Sequence, residues 1–178
     1  MFISTVSNSK LNSFQQCRLK YRYRYVDRLI GPKPLNQNAL NFGSYIHKIF
    51  EDGVGATTRD ELNKLAEEFK ETYKIKNEDD RTRICITNFL RFNASLSENI
   101  STEQRFELEL KKDITLNGII DRVIKGKEGG YLVIDYKTSK REKSKVELFQ
   151  DDQLKGYVLA VHKLYGVPLG DITAAHYY

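Results

Sequence analysis

The sequence has little cysteine, no long apolar run and no recognisable export signal. Its two cysteines, Cys17 and Cys85, form no CxxC metal pair and are too few for the disulfide framework of a small secreted domain. No apolar run approaches the ~20 residues that a membrane helix needs. The opening residues, MFISTVSNSK, lack the apolar core of a secretory signal. These absences predict an intracellular, cytoplasmic protein that does not span a membrane.

Several catalytic signatures are also missing from the sequence. It has no glycine-rich phosphate loop, no serine or cysteine nucleophile motif and no internal repeat. The composition, 40% hydrophobic and 30% charged residues, is typical of a globular protein rather than a disordered one. With 178 residues the chain is long enough for a real core, and it predicts a single domain over residues 1–178.

The positive charge is concentrated at two places. Residues 1–30 hold six basic residues against one acidic residue, Asp27, so this stretch alone carries the net charge of +5 of the whole chain. A second basic cluster surrounds Glu142: Lys137, Lys140, Arg141, Lys143 and Lys145. Such runs are often plain solvated surfaces. The alternative is that they bind a polyanion.

The hydrophobic periodicity predicts an α/β fold. A helix can begin at Ser7 or Ser9 and continue to Tyr25. Further helices are predicted over 39–53, 59–74, 81–96 and 146–165. Period-two patterns predict strands over 103–110, 115–126, 131–139 and 171–178. The first three strands are joined by tight turns and should be antiparallel, whereas the last follows a helix, so the sheet should be mixed.

The third strand contains the segment VIDYKTS, in which an acid and a base interrupt an apolar run. Side chains alternate along a strand, so Asp135 and Lys137 share one face. A loop centred on Glu128 places Asp121 opposite Asp135, with Cβ atoms about 4.5–5.5 Å apart. A turn centred on Lys112 brings Glu103 into the same row, although a bulge would spoil this weaker inference.

Two readings of this row remain open. Like charges so close are unfavourable unless a cation lies between them, and carboxylate oxygens suit Mg²⁺ or Mn²⁺. Alternatively, Lys137 and Arg122 neutralise the acids in a row of salt bridges.

Two helices carry further candidates. Gly43, His47 and Glu51 are spaced four residues apart and share one helical face, and Gly43 permits a close approach of the backbone. Gln153 and Tyr157 are spaced in the same way on the later helix. A lone histidine is more often a packed or surface residue than a ligand, and Gln153 can equally be a surface glutamine beside a core tyrosine.

The order of these segments carries more information than each segment alone. GSYIHKIFE, NGIIDRV, VIDYKTS and QLKGY follow one another at compatible spacing, after the opening segment SNSKLNSFQQCRLKYRYRYV. Together they resemble the RecB-like branch of the PD-(D/E)XK nuclease superfamily, which includes CRISPR-associated RecB-like nucleases and phage exonucleases. The resemblance implies a restriction-endonuclease-like αβββαβ core with a basic N-terminal helix over 1–30, a helical insertion over 54–100 and a catalytic sheet and helix over 101–178.

The resemblance also implies a site that holds Mg²⁺ or Mn²⁺. The implied metal ligands are the side chains of His47, Asp121 and Asp135 and the backbone carbonyl of Tyr136. Lys137 would orient or activate the attacking water, and Glu51 would act on the metal through water. The implied catalytic residues are therefore Glu51, Asp121, Asp135 and Lys137. Substrate contacts are implied for Gln153 and Tyr157, and the basic segment adds Lys20, Arg22, Arg24 and Arg28, where tyrosines could stack on unpaired bases.

The sequence departs from the branch in its cysteines. Many members hold an iron–sulfur cluster with one early cysteine and three near the C-terminus. Cys17 matches the early one, but Arg18 replaces the usual proline and no cysteine follows Cys85. Four thiolates cannot come from two cysteines, so we expect no cluster.

The expected function is a metal-dependent DNA nuclease, an exonuclease or one acting on single-stranded ends, in recombination, repair or phage DNA processing. DNA is the expected partner, a helicase or recombination protein a further one, and the chain can be phage-encoded. The alternatives are a catalytically silent DNA-binding module of the same fold and a scaffold whose charges only form salt bridges.

Overall fold

A computed structural model describes residues 4–31, 37–96, 98–126 and 129–178 of the chain. Its strands are β1 (Ser4–Val6), β2 (Glu98–Lys111), β3 (Ile114–Lys125), β4 (Tyr131–Tyr136) and β5 (Ile172–Tyr177). Its helices are α1 (Asn8–Gln16), α2 (Arg18–Tyr21), α3 (Gln37–Asp52), α4 (Arg59–Lys70), α5 (Asp79–Ser95), α6 (Lys145–Phe149) and α7 (Asp152–Tyr165). A π-helical turn (Arg22–Val26) follows α2, and a 3₁₀ turn (Leu169–Asp171) precedes β5.

The five strands form one mixed sheet around β3. Strand β2 runs antiparallel along one edge of β3, while β1 and β4 share the other edge, β1 at its start and β4 at its end. Strand β5 pairs with β4 in parallel, as expected for a connection through a helix. The predicted α/β architecture with a mixed sheet is confirmed.

Helices cover both faces of the sheet, so the core has two layers. On one face Ile124, Ile134 and Tyr136 pack with buried residues of α3, α4 and α5. On the other face Val123 and Val133 pack with α7. Helices α4 and α5, which fall within the predicted insertion over 54–100, therefore join the same core as α3.

The boundaries differ from the prediction at several places. The sequence pattern missed β1, and β2 begins at Glu98 rather than Glu103. The predicted N-terminal helix is interrupted at Cys17, whose backbone is extended and whose sulfur caps α2 by accepting from the Lys20 amide. The predicted helix over 146–165 is divided into α6 and α7, because the Asp151 carboxylate accepts from the Gln153 and Leu154 amides as a new N-cap.

Local capping signals explain several other boundaries. Ser7 caps α1 as predicted, with its hydroxyl oxygen 3.4 Å from the Lys10 amide. Ser144 and Glu147 form a capping box that starts α6. Gly166 adopts a left-handed conformation, φ 67°, that ends α7. Within the described residues, no helix is both long and apolar enough to cross a membrane.

Candidate metal and nucleic-acid site

Asp121 lies where β3 and β4 separate. The predicted register is confirmed by the pairs Arg122 with Ile134 and Val123 with Val133, although Glu128 itself lies outside the described residues. Beyond Ile134 the strands part, and the Tyr136 backbone N–H donates to Asp121 Oδ2 at 2.7 Å. The Asp121 carboxylate thus takes the place of a main-chain carbonyl as the acceptor for the buried Tyr136 N–H. This hydrogen bond fixes the position of the carboxylate.

Glu103 joins this site through an unusual backbone. The predicted register of β2 with β3 holds on both sides of it, in Thr102 with Arg122 and Gln104 with Ile120. Glu103 itself has a φ of 47°, in the left-handed region that a non-glycine residue rarely adopts inside a strand. Such backbone strain is typical of functional sites.

Three potential ligands meet at this point. One atom each from His47, Glu103 and Asp121 lie within 4.8 Å of one another. Burial, then the charge of Asp121, raise the pKa of the Glu103 carboxyl. A bound cation would relieve both effects because it compensates negative charge.

His47 faces the Asp121 carboxylate directly. The Tyr136 carbonyl can only accept, so His47 Nε2, 2.9 Å away, must donate to it. In a neutral ring Nδ1 then presents a lone pair to Asp121 Oδ2, 3.5 Å away. Burial opposes protonation of the imidazole, but Asp121 outweighs it and raises the pKa of His47. Two acceptors facing each other become favourable only with a proton or a metal ion between them.

Asp135 lies beside this group rather than within it. It is 2% exposed and forms an ion pair with Lys137. Burial raises the pKa of Asp135 to about 6, with Asp121 adding to the effect and Lys137 opposing it. The compact group of three ligands therefore includes Glu103, which was the weaker inference from the strand register, whereas Asp135 pairs with Lys137.

The QxxxY pair extends the site to Lys137. The Lys137 ammonium donates to Gln153 Oε1 at 3.3 Å, and Gln153 Nε2 donates to the Tyr157 hydroxyl at 2.7 Å. Burial raises the pKa of Tyr157, so its hydroxyl keeps its proton. Gln153 is therefore not an isolated surface glutamine: its amide connects the lysine to α7.

The predicted face of α3 lines a cavity of about 570 Å³ next to the ligand group. Gly43, His47 and Glu51 all contribute to its wall. The Glu51 carboxylate accepts from the Lys48 ammonium at 3.1 Å and lies outside the group of three. A Cβ added at Gly43 would lie 3.4 Å from Thr138 Oγ1, an ordinary contact, so the packing there does not require glycine.

Of the two basic residues that could neutralise the acidic row, one does so. Lys137 pairs with Asp135, but Arg122 is buried on the opposite face. There its guanidinium donates to Asn99 Oδ1 at 2.9 Å and contacts the Tyr136 hydroxyl at 3.5 Å. Arg122 therefore does not neutralise Asp121 or Glu103.

The four basic residues predicted to bind substrate lie in a separate, exposed segment. None of them lines the carboxylate cavity: Lys20, Arg22, Arg24 and Arg28. Arg22 pairs with Asp27 at 3.2 Å, and the Arg24 guanidinium lies over the Tyr25 ring at 5.3 Å. Tyr23, between the two arginines, is exposed.

His176 is a site residue that the sequence did not indicate. It pairs with Asp135 across β4 and β5, and its fully buried Nε2 lies 3.7 Å from Asp135 Oδ2 and 3.4 Å from Asp151 Oδ2. Burial lowers the pKa of the ring, which is therefore neutral. Its Nδ1 is 3.3 Å from the Tyr178 hydroxyl. The parallel register of β5 was the only available signal, and it requires the tertiary fold.

Comparison with known proteins identifies the family of the chain. A family model described as the PD-(D/E)XK nuclease superfamily matches residues 5–178. The chain belongs to this superfamily. In the described structure Asp121 lies on β3, Asp135 lies near the end of β4, and Lys137 directly follows that strand.

Curated relatives place this PD-(D/E)XK chain in the RecB-like branch. It is 27% identical to a subunit of the ATP-dependent helicase/deoxyribonuclease of Streptococcus agalactiae over 89% of its length, but covers 16% of that protein. The subunit of the same name in Streptococcus mutans is 26% identical over 76% of the chain, which covers 14% of that protein. The chain therefore spans about a sixth of the length of these relatives.

The donor set of this PD-(D/E)XK nuclease fits a divalent metal. It combines two carboxylates, which suit hard cations such as Mg²⁺ and Mn²⁺, with one imidazole, while the Tyr136 carbonyl accepts from His47 Nε2. Cys17 and Cys85 are both free thiols.

Proposed function

We propose that the chain is a metal-dependent deoxyribonuclease that hydrolyses phosphodiester bonds at DNA ends, with a preference for single-stranded ends. The observation that carries this proposal is the facing pair of acceptors, His47 Nδ1 and Asp121 Oδ2, with Glu103 beside them. Without a metal, a proton on His47 would form an ion pair with Asp121 at this point, and Mn²⁺ titration separates the two cases.

The ligands of the metal would be His47, Asp121, Asp135 and the Tyr136 carbonyl, and we add Glu103 from its position. A divalent cation there would lower the pKa of a bound water and offset negative charge on the phosphate. To join these ligands, Asp135 would turn from its ion pair with Lys137 toward the cation.

Lys137 would act on the reacting groups directly. Its ammonium is held by Asp135 and Gln153 at the edge of the site, where it can orient the attacking water or contact a phosphate oxygen. Gln153 and Tyr157 would keep the lysine in place, and Glu51 would contact the metal through water from the cavity wall.

The preference for single strands rests on the basic segment. Alternating exposed arginines and tyrosines, as in Arg22, Tyr23 and Arg24, suit phosphates and unpaired bases together. The relatives are named as subunits of a helicase/deoxyribonuclease, and we propose a helicase or recombination protein as a partner of this chain in DNA recombination or repair.

A cleavage assay on end-labelled single-stranded DNA, double-stranded linear DNA and closed circles tests the proposal. We expect linear DNA to be degraded with Mn²⁺ or Mg²⁺ but not with EDTA, and Asp135→Ala and Asp135→Asn to abolish this degradation. Glu109→Ala, which removes an exposed carboxylate from β2, should cleave like the wild-type protein.

The outcomes separate the alternatives. DNA binding without cleavage in either metal would make the chain a silent DNA-binding module. Cleavage of closed circles at the rate of linear DNA would refute the preference for ends, and cleavage retained by Asp135→Asn would refute the site.

A further inference from the structure

Helix α6 presents an apolar pair to solvent close to the site. Phe149 is 83% exposed and Val146, one turn earlier on the same face, is 66% exposed. Leu148, in contrast, packs into the core shared with α7. The Ser144–Glu147 capping box and Leu148 hold the helix down, so Phe149 is displayed on an ordered support.

The fold links this pair to the proposed catalytic lysine. Phe149 ends α6, and α7 begins at once after the cap residue Asp151. Gln153, whose side chain contacts Lys137, is the second residue of α7. Four residues of extended chain span at most about 14 Å. Successive phosphates of one DNA strand are about 3.4 Å apart. Phe149 therefore lies within a few nucleotides of a phosphodiester bond that is bound at Lys137.

Basic residues are frequent in the loop before α6 and at its first position. In the loop between β4 and α6, Arg141 is paired with Glu147 and Lys143 with Asp151. Lys140 and Lys145 are exposed, and no carboxylate of the described residues lies within 4 Å of either ammonium group. Two exposed lysines outside ion pairs of the described residues thus lie in the chain segment that leads into the helix bearing Phe149.

We propose that Val146, Phe149, Lys140 and Lys145 form a platform for single-stranded DNA, on which an unpaired base stacks against Phe149 while the lysines contact phosphates. This platform rests on the proposed function, since it takes the strand that enters the site at Lys137. One ring is enough to stack one base. A stable protein interface buries about 800 Å² on each partner, far more than Val146 and Phe149 offer.

Binding of a short fluorescein-labelled oligo(dT), measured by anisotropy in EDTA, tests the platform without cleavage. Phe149→Ala should weaken binding about tenfold, whereas Phe149→Trp should retain it. An abasic strand of the same length should bind wild-type protein and Phe149→Ala equally. Leu169→Ala is the matched control, because Leu169 is 54% exposed at the opposite end of the sheet.

Lys140→Ala with Lys145→Ala tests the charges separately. The slope of log affinity against log salt should fall by about 0.7 for each phosphate that the variant no longer binds, for the abasic strand as well as for oligo(dT). Unchanged oligo(dT) binding by Phe149→Ala would overturn the platform, as would a change in oligomeric state by light scattering without a change in DNA binding.

The test is independent of nuclease activity. If wild-type protein binds oligo(dT) through Phe149 but cleaves nothing in Mn²⁺, the platform stands and the proposed nuclease function falls. If wild-type protein cleaves and Phe149→Ala binds oligo(dT) normally, only the platform falls.

Discussion

His47, Glu103 and Asp121 come from α3, β2 and β3, whereas Arg22, Arg24 and Arg28 follow one another along one short exposed segment. The first set meets only because the sheet and α3 are folded, which brings one ligand atom of each residue within 4.8 Å of the others. The second set needs no distant part of the chain. The proposed chemistry therefore depends on atomic positions, while the proposed DNA affinity depends mainly on charge.

The largest effect is expected for Asp121→Asn. The amide oxygen can still accept from the Tyr136 N–H, so the fold should persist, but a neutral side chain no longer complements a cation. Removing even an outer partner of a metal ligand costs 10–100-fold in affinity, so we expect metal affinity to fall about 100-fold or more and cleavage to disappear. Isothermal titration with Mn²⁺ measures the affinity.

Glu109→Gln is the control for this change, since it neutralises an exposed carboxylate on β2 outside the site. Equal Mn²⁺ affinity of Asp121→Asn and wild-type protein would show that the geometry of the ligand group was misread.

An intermediate effect is expected for His176→Ala. The ring separates the buried carboxylates of Asp135 and Asp151, and its removal leaves them facing each other without a dipole between them. Asp135 then loses its fixed position, and Mn²⁺ affinity should fall roughly 10-fold, as for other outer partners of metal sites. His176→Gln keeps an N–H donor and should bind Mn²⁺ more tightly than His176→Ala.

Mn²⁺ titration and thermal unfolding with and without Mn²⁺ distinguish this role from simple packing. A purely structural histidine would lower the melting temperature equally in both conditions and leave the affinity unchanged.

The sequence could predict those parts of the site that depend on local rules. Tight turns define the antiparallel register, so the row of Glu103, Asp121 and Asp135 followed from counting residues. Helical spacing placed Gln153 next to Tyr157.

Other features depend on the tertiary fold and left no local signal. The approach of His176 to Asp135 depends on how β5 returns beside β4 after α7. The left-handed backbone at Glu103 also has no marker, because the residue is not glycine. The two helix interruptions, at Cys17 and at Asp151, arise from side chains that cap a new helix inside a run with helical periodicity.

The smallest effect is expected from Arg22→Ala with Arg24→Ala. Both side chains are exposed, and Arg22 already forms an ion pair with Asp27. Each contact that they make with a phosphate should therefore be weak. Affinity for single-stranded DNA should fall a few-fold and the salt slope by about 0.7 per phosphate released, whatever the DNA sequence. Cleavage at saturating DNA should be unchanged, because neither residue reaches the ligand group.

Arg59→Ala, which removes an exposed arginine at the start of α4, is the control. If it lowers the salt slope as much as the double change does, the N-terminal segment is an ordinary solvated surface and DNA is held elsewhere.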